Sequence, residues 1–263
     1  MGKFVSVFEL LARNTIYKIL LIFTALGIAE IWQFINRLQE QLALQNKADV
    51  SGAGGSLELV IESSGQYGWY TIAFILISVI LGFSTCNFGS VSGYTLKRLR
   101  ISEWEIFLVQ SAYNLMCYIL LMGVQLGLLL VMGYLYMTQA DDVSSQTIFL
   151  AFYRHDFMHS ILPMEEWMRY IANLLMLGGV SVTVAGVPYF QRNGKFCWEA
   201  VVTVGIMAVG FEAGLGDVVP YTLTLIILGL AVFAASRVNI CYIERKEKSR
   251  VEPMQGTGME LEK

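Results

Sequence analysis

Long apolar runs separated by short polar segments dominate this sequence. Six of these runs approach the roughly 20 residues that a helix needs to cross a hydrocarbon core of about 30 Å. Because the runs are continuously apolar rather than alternating, they predict membrane-spanning helices instead of strands. The predicted spans cover, approximately, residues 17–35, 68–89, 106–137, 168–190, 197–211 and 219–236.

The composition indicates lipid as the main solvent of the chain. Hydrophobic residues make up 56% of it and charged residues 15%, and the mean hydropathy is +0.57. The hydrophobic fraction lies above that of an ordinary soluble domain of this length, and the charged fraction lies below it. The net charge of -3 is too small to indicate nucleic acid as a partner. We therefore predict an all-α, polytopic membrane protein with a single transmembrane domain over residues 1–243.

The distribution of Lys and Arg predicts the orientation of the six spans, because short cytoplasmic loops retain these residues during insertion. Most of them fall on the side that holds both termini. The opposite side holds only Arg37, Lys47, Arg154 and Arg169. Both termini are therefore predicted to be cytoplasmic. The connecting segments are acidic outside loops at 36–67 and 138–167, a cytoplasmic loop at 93–105, and a polar cytoplasmic tail at 244–263 that we expect to be disordered.

The segment before the first span is apolar and flanked by basic residues. Its apolar positions run from Phe4 to Leu11, between Lys3 and Arg13. This pattern is typical of a short helix in the inner membrane interface. The alternative is a helical extension of the first span.

Charged residues and cysteines within the runs have ordinary explanations. Long charged side chains near span ends reach the interface, which we expect of Glu30, Glu199, Glu212 and Arg237. No cysteine lies in a predicted outside loop, so we expect no structural disulfide. The four are Cys86, Cys117, Cys197 and Cys241.

Two patterns inside the spans suit contacts between helices. On the third span, Gln110, Asn114 and Gln125 fall within about 60° at 100° per residue, with Tyr118 beside them. Such a polar stripe either bonds helices together or lines a path. On the second span, small residues recur every four positions and allow another helix to approach closely. They are Ser78, Gly82, Cys86 and Ser90.

The two histidines of the chain form its most enzyme-like pattern. His155 and His159 are four residues apart and share one helix face, which suits a metal. A zinc peptidase normally has Glu at the position of Asp156, because the longer carboxylate reaches the metal-bound water. The alternatives are a metallohydrolase site, a structural or adventitious metal site, and ordinary surface histidines.

The segment between the second and third spans has the most specific local pattern. Residues 94–105 read YTLKRLRISEWE. Ser102 and Glu105 have capping-box spacing, which predicts that the third span starts as a helix at Ser102, in the cytoplasm. The basic, partly apolar element before it suits docking into a partner's groove. The alternative is a positive-inside loop that contacts anionic lipid.

In its organisation, the chain resembles the membrane subunits of type-2 ATP-binding-cassette (ABC) exporters. The resemblance rests on the N-terminal stretch, the six spans, the basic segment, the outside loop after the third span and the close fifth and sixth spans. It covers nearly the whole chain. The sequence YTLKRLRIS looks like the loop that meets the ATPase in that family. The resemblance implies a coupling role for Leu96, Lys97, Arg98, Leu99 and Arg100.

The resemblance also implies partners. The chain contains no G-x-x-x-x-G-K-[ST] phosphate loop, so it would be a transport subunit with no catalytic residue or cofactor of its own. Separate ABC ATPase subunits would hydrolyse ATP, and a second permease subunit, identical or related, would complete a dimer. The expected location is a cell membrane, namely the bacterial inner membrane. The competing hypotheses are a metallohydrolase at His155, Asp156 and His159, and a non-catalytic scaffold or immunity-type protein.

Overall fold

The computed structural model describes residues 2–48, 57–84, 86, 103–139, 145–163, 167–192 and 197–210, together with residues 229 and 245. Every regular element in these ranges is a helix, which confirms the all-α prediction. In chain order the helices are α1 Gly2–Ala48, α2 Leu57–Ser63, α3 Gln66–Phe83, α4 Glu103–Gln139, α5 Ser145–Arg154, α6 Asp156–Ile161, α7 Trp167–Arg192 and α8 Trp198–Gly210.

Four of these helices are long and apolar enough to span a membrane. Their spanning stretches are Phe4–Leu44, Gln66–Phe83, Trp104–Gln139 and Trp167–Pro188. They overlap the first four predicted spans and support the prediction of a membrane protein, although the first stretch is much longer than predicted and the second ends at Phe83 instead of near residue 89. Helix α8 has 13 residues, about 20 Å of helix, which is shorter than a hydrocarbon core. The sixth predicted span, 219–236, lies outside the described residues apart from residue 229.

Helix α1 is continuous over 47 residues, or about 70 Å at 1.5 Å per residue. No break separates residues 4–11 from the first span. Of the two N-terminal alternatives, the structure therefore has the helical extension and not a separate interfacial helix. Val7 and Leu11 are buried in the core of the protein, so this segment packs on its neighbours. At the other end of α1, Phe34 and Leu38 are also buried, and the predicted outside loop begins as helix.

Helices α1, α3, α4 and α7 form the central bundle. Helix α4 packs against the other three, and α3 also packs against α1 and α7. Their facing sides bury large apolar residues such as Ile77, Leu121 and Val180. Their outer sides expose apolar residues such as Leu21 and Leu174. Apolar residues all round a helix are expected where lipid replaces water as the solvent.

Helix α8 packs on α3 and α7 at the side of this bundle. The hydroxyls of Thr183 on α7 and Thr203 on α8 are 2.8 Å apart and hydrogen-bonded. The Tyr67 hydroxyl on α3 donates to the carbonyl oxygen of Ala208. Polar contacts between helices are favourable in lipid, since the alternative partner there is hydrocarbon. They attach this short helix to the bundle.

Helices α2, α5 and α6 cover one end of the bundle. Helix α2 packs on α1 and α5, and α6 packs on α5 and α4. Phe157 of α6 contacts the rings of Tyr67 and Tyr70, with centroids 5.9 and 5.6 Å apart. Gly65 has φ 65° at the turn into α3, a left-handed conformation that glycine adopts without a steric penalty. We call this end of the bundle the cap end. The other end, where α3 finishes and α4 begins, is called the loop end.

Candidate functional site

All four residues of the predicted polar stripe are buried on α4. Gln110, Asn114, Tyr118 and Gln125 are each at most 2% exposed. They face the neighbouring helices because they share one side of a helix that packs on α1, α3 and α7. The polar stripe read from the sequence therefore lies on the buried side of α4.

Two residues of the stripe connect α4 to different helices. The Tyr118 hydroxyl donates to Ser78 Oγ on α3 at 2.9 Å. The Asn114 side-chain amide donates to the Ser181 carbonyl oxygen on α7 at 3.2 Å. Beside the stripe, the hydroxyls of Tyr113 and Thr15 on α1 are hydrogen-bonded at 2.6 Å. The middle of α4 is thus bonded to all three other long helices.

Gln125 connects α4 to a buried acid on α1. Its side-chain amide donates to Glu30 Oε2 at 2.9 Å. We expected Glu30 to reach the membrane interface near a span end, but its side chain is 0% exposed. The first span is longer than the apolar run indicated, so Glu30 lies within the bundle rather than at its edge.

Gln66, the first residue of α3, adjoins the same acid. Its side-chain amide donates to the Glu30 carbonyl oxygen at 3.4 Å and to Ser64 Oγ at 3.0 Å. Three buried side-chain oxygens in this cluster accept no hydrogen bond, namely Oε1 of Glu30, Gln66 and Gln125. We refer to Glu30, Ser64, Gln66 and Gln125 as the Glu30 cluster. Its members come from three separate segments of the chain, so no local sequence pattern points to the cluster.

The small-residue face of α3 lies partly against α7. A Cβ added at Gly82 would meet Val184 and Val187 at ordinary contact distances of 3.7 to 3.8 Å. Ser78 bonds Tyr118, and Cys86 is buried with its thiol 3.4 Å from the Gly82 carbonyl oxygen. Ser90 and Cys241 lie outside the described residues. Among the described residues, Cys86, Cys117 and Cys197 are buried and none of them forms a disulfide.

The predicted histidine pair lies in the cap. His155 directly precedes α6, and His159 is buried with its ring 5.8 Å from that of Tyr153. The described residues include no group of three or more His, Cys, Asp or Glu that could hold a metal. Nearby, Arg169 of α7 is 1% exposed and donates to Ser160 Oγ at 3.0 Å. The burial of this arginine was not anticipated, because we counted Arg169 only among the basic residues on the outer side of the membrane.

The predicted coupling residues lie in the connection between α3 and α4. Leu96, Lys97, Arg98, Leu99 and Arg100 are outside the described residues. The structure describes the two ends of that connection, at Cys86 and Glu103.

Compared with protein-family models, with curated proteins and with solved structures, the chain matches none of them.

Proposed function

We propose that this chain is the permease subunit of an ABC-type exporter, with six spans and both termini in the cytoplasm. The observation that carries the proposal is the position of α4. This helix begins at Glu103, three positions after the end of the basic segment 94–100, and packs on α1, α3, α7 and the cap helix α6. A movement of the basic segment would therefore reach every long helix and the far end of the bundle through one rigid element.

Contacts at the loop end support the transmission of movement through α4. The Asn14 side chain on α1 donates to the Ser84 carbonyl oxygen, where α3 ends, at 3.1 Å. At the start of α4, the rings of Trp104 and Phe107 stack with centroids 5.7 Å apart. Phe107 packs with Ala185 of α7 in a separate apolar cluster. Both ends of the connection are thus fixed to neighbouring long helices.

In the proposed mechanism, the loop end faces the cytoplasm and the cap end faces outward. A separate ATPase subunit binds the segment that contains Leu96 to Arg100 and moves it during ATP hydrolysis. Helix α4 transmits the movement, and access to the membrane domain switches between its two ends. A second permease subunit, identical or related, supplies the other half of the pathway.

Co-purification tests the proposed coupling. The tagged full-length chain is purified in mild detergent, and co-purifying chains are identified by mass spectrometry. We expect an ABC ATPase with the wild type and a loss of most of it with Leu96→Ala/Arg98→Ala/Leu99→Ala. That variant removes the apolar contacts and one positive charge that the ATPase would bind.

The control is Arg245→Ala/Lys246→Ala/Lys248→Ala, which removes more positive charge from the same predicted side of the membrane. It should retain the ATPase. The proposal fails if no ATPase accompanies the wild type, and the coupling role fails if both variants retain it equally.

A further inference from the structure

The Glu30 cluster contains more hydrogen-bond acceptors than donors. The Gln66 and Gln125 amides already donate within the cluster, to Glu30 and Ser64. Ser64 Oγ in turn donates to the Ile61 carbonyl oxygen at 2.7 Å. The three Oε1 atoms of Glu30, Gln66 and Gln125 are left with no donor. Buried polar atoms are nearly always paired, so three in one cluster call for an additional positively polarised group.

The cluster also includes an acidic side chain inside the bundle. Glu30 is 0% exposed, Gln66 1% and Gln125 0%. No Lys, Arg or His of the described residues forms a salt bridge with Glu30, whose side-chain contact is the Gln125 amide. An ionisable side chain inside a membrane domain is costly unless a partner stabilises it, and such residues commonly mark an ion pathway. A cation is the partner that would supply this stabilisation.

We propose that Glu30, Gln66 and Gln125 bind one small monovalent cation, Na⁺, at the cap end of the bundle. Carboxylate and amide oxygens are the ligands that hard cations prefer. The cluster has one carboxylate, so a monovalent ion leaves no net charge, whereas a divalent ion would leave a positive charge buried. The proposal does not depend on an ATPase partner, because the cluster lies within the chain, at the end of the bundle opposite to where α3 finishes and α4 begins.

Direct binding of ²²Na⁺ to the purified full-length chain in detergent tests the site. Wild type should bind about one ion per chain in a saturable manner. Unlabelled NaCl should displace it, and choline chloride at the same ionic strength should not. Glu30→Gln keeps the side-chain shape but removes the charge, and it should lose saturable binding.

The matched control is Glu40→Gln, the same change ten positions further along α1. Glu40 forms an exposed ion pair with Arg37. Its substitution should therefore leave ²²Na⁺ binding unchanged. A second variant, Gln66→Met, removes one ligand oxygen without touching the charge. We expect its affinity to fall by about tenfold or more, since the number of ligands sets the affinity of such sites.

Circular dichroism and gel filtration establish that each variant folds. If Glu30→Gln does not fold, wild type and Gln66→Met decide the question. Absence of saturable ²²Na⁺ binding to wild type overturns the proposal. Equal binding by wild type and a folded Glu30→Gln, or by wild type and Gln66→Met, also overturns it, because the ion would then lie elsewhere.

Discussion

Two buried polar pairs on the same face of α4, about two helical turns apart, differ in how they are satisfied. The Tyr118 hydroxyl donates to Ser78, and Ser78 donates to the Phe74 carbonyl oxygen. That chain of donors ends on a backbone acceptor within α3. In the other pair, Gln125 donates to Glu30, and both side chains keep an unpaired oxygen.

Tyr118 and Ser78 therefore serve helix packing, whereas Glu30 and Gln125 form part of a candidate binding site. A neutral hydrogen-bond chain that ends on the backbone holds two helices together and needs no ligand. A buried acid with surplus acceptors costs free energy until a donor or cation satisfies it. The same stripe of polar residues therefore holds helices together near the bundle centre and contributes to the candidate cation site at the cap end.

The largest expected effect is that of Gln125→Leu. This substitution removes the donor to Glu30 and leaves a buried acceptor unpaired, so we expect the free energy of unfolding to fall by about 2–3 kcal/mol. Unfolding by SDS in mixed micelles, followed by circular dichroism in choline chloride, measures it. The control Gln139→Leu changes an exposed residue of the same helix and should stay within about 0.5 kcal/mol of wild type.

The double variant Glu30→Leu/Gln125→Leu sharpens this result. Removing both partners leaves neither side chain of this pair buried without the other, so the double variant should be more stable than Gln125→Leu alone. If the two substitutions instead destabilise additively, Glu30 and Gln125 do not interact in the folded protein, and the contrast with Tyr118 fails.

Tyr118→Phe should have a smaller effect. It removes one neutral hydrogen bond, while Ser78 keeps its bond to the Phe74 carbonyl oxygen. We expect a loss of about 0.5–1.5 kcal/mol, equal in NaCl and in choline chloride. The same SDS titration in the two salts measures it. A loss that depends on sodium would contradict the assignment of this pair to packing.

The smallest effect is expected of Gly82→Ala, at an apolar contact one turn from Ser78. In Gly82→Ala the new Cβ meets Val184 and Val187 at 3.7 to 3.8 Å, so stability should change by no more than about 0.5 kcal/mol. Gly82→Leu overfills the contact and should cost about 1–3 kcal/mol. Comparison of the two unfolding midpoints measures this. A large loss in the alanine variant would mean that α3 and α7 approach more closely than described.

Apolar run length predicted much of the fold. The second, third and fourth predicted spans match α3, α4 and α7 within a few residues at most ends. The second is the exception, because α3 ends at Phe83 rather than near residue 89. The continuity of α1 was harder to predict, since the polar residues that flank its apolar run are also good helix formers.

The sequence by itself determined that the described part of the chain is helical and apolar, and which face of α4 carries the polar stripe. Both properties follow from local composition and from the 3.6-residue period of a helix. Only the tertiary structure decided which residues lie opposite that face. Glu30 and Gln125 are separated by 95 positions, and their contact depends on how α1 and α4 align along their lengths. That alignment results from packing over both whole helices, which no local pattern encodes.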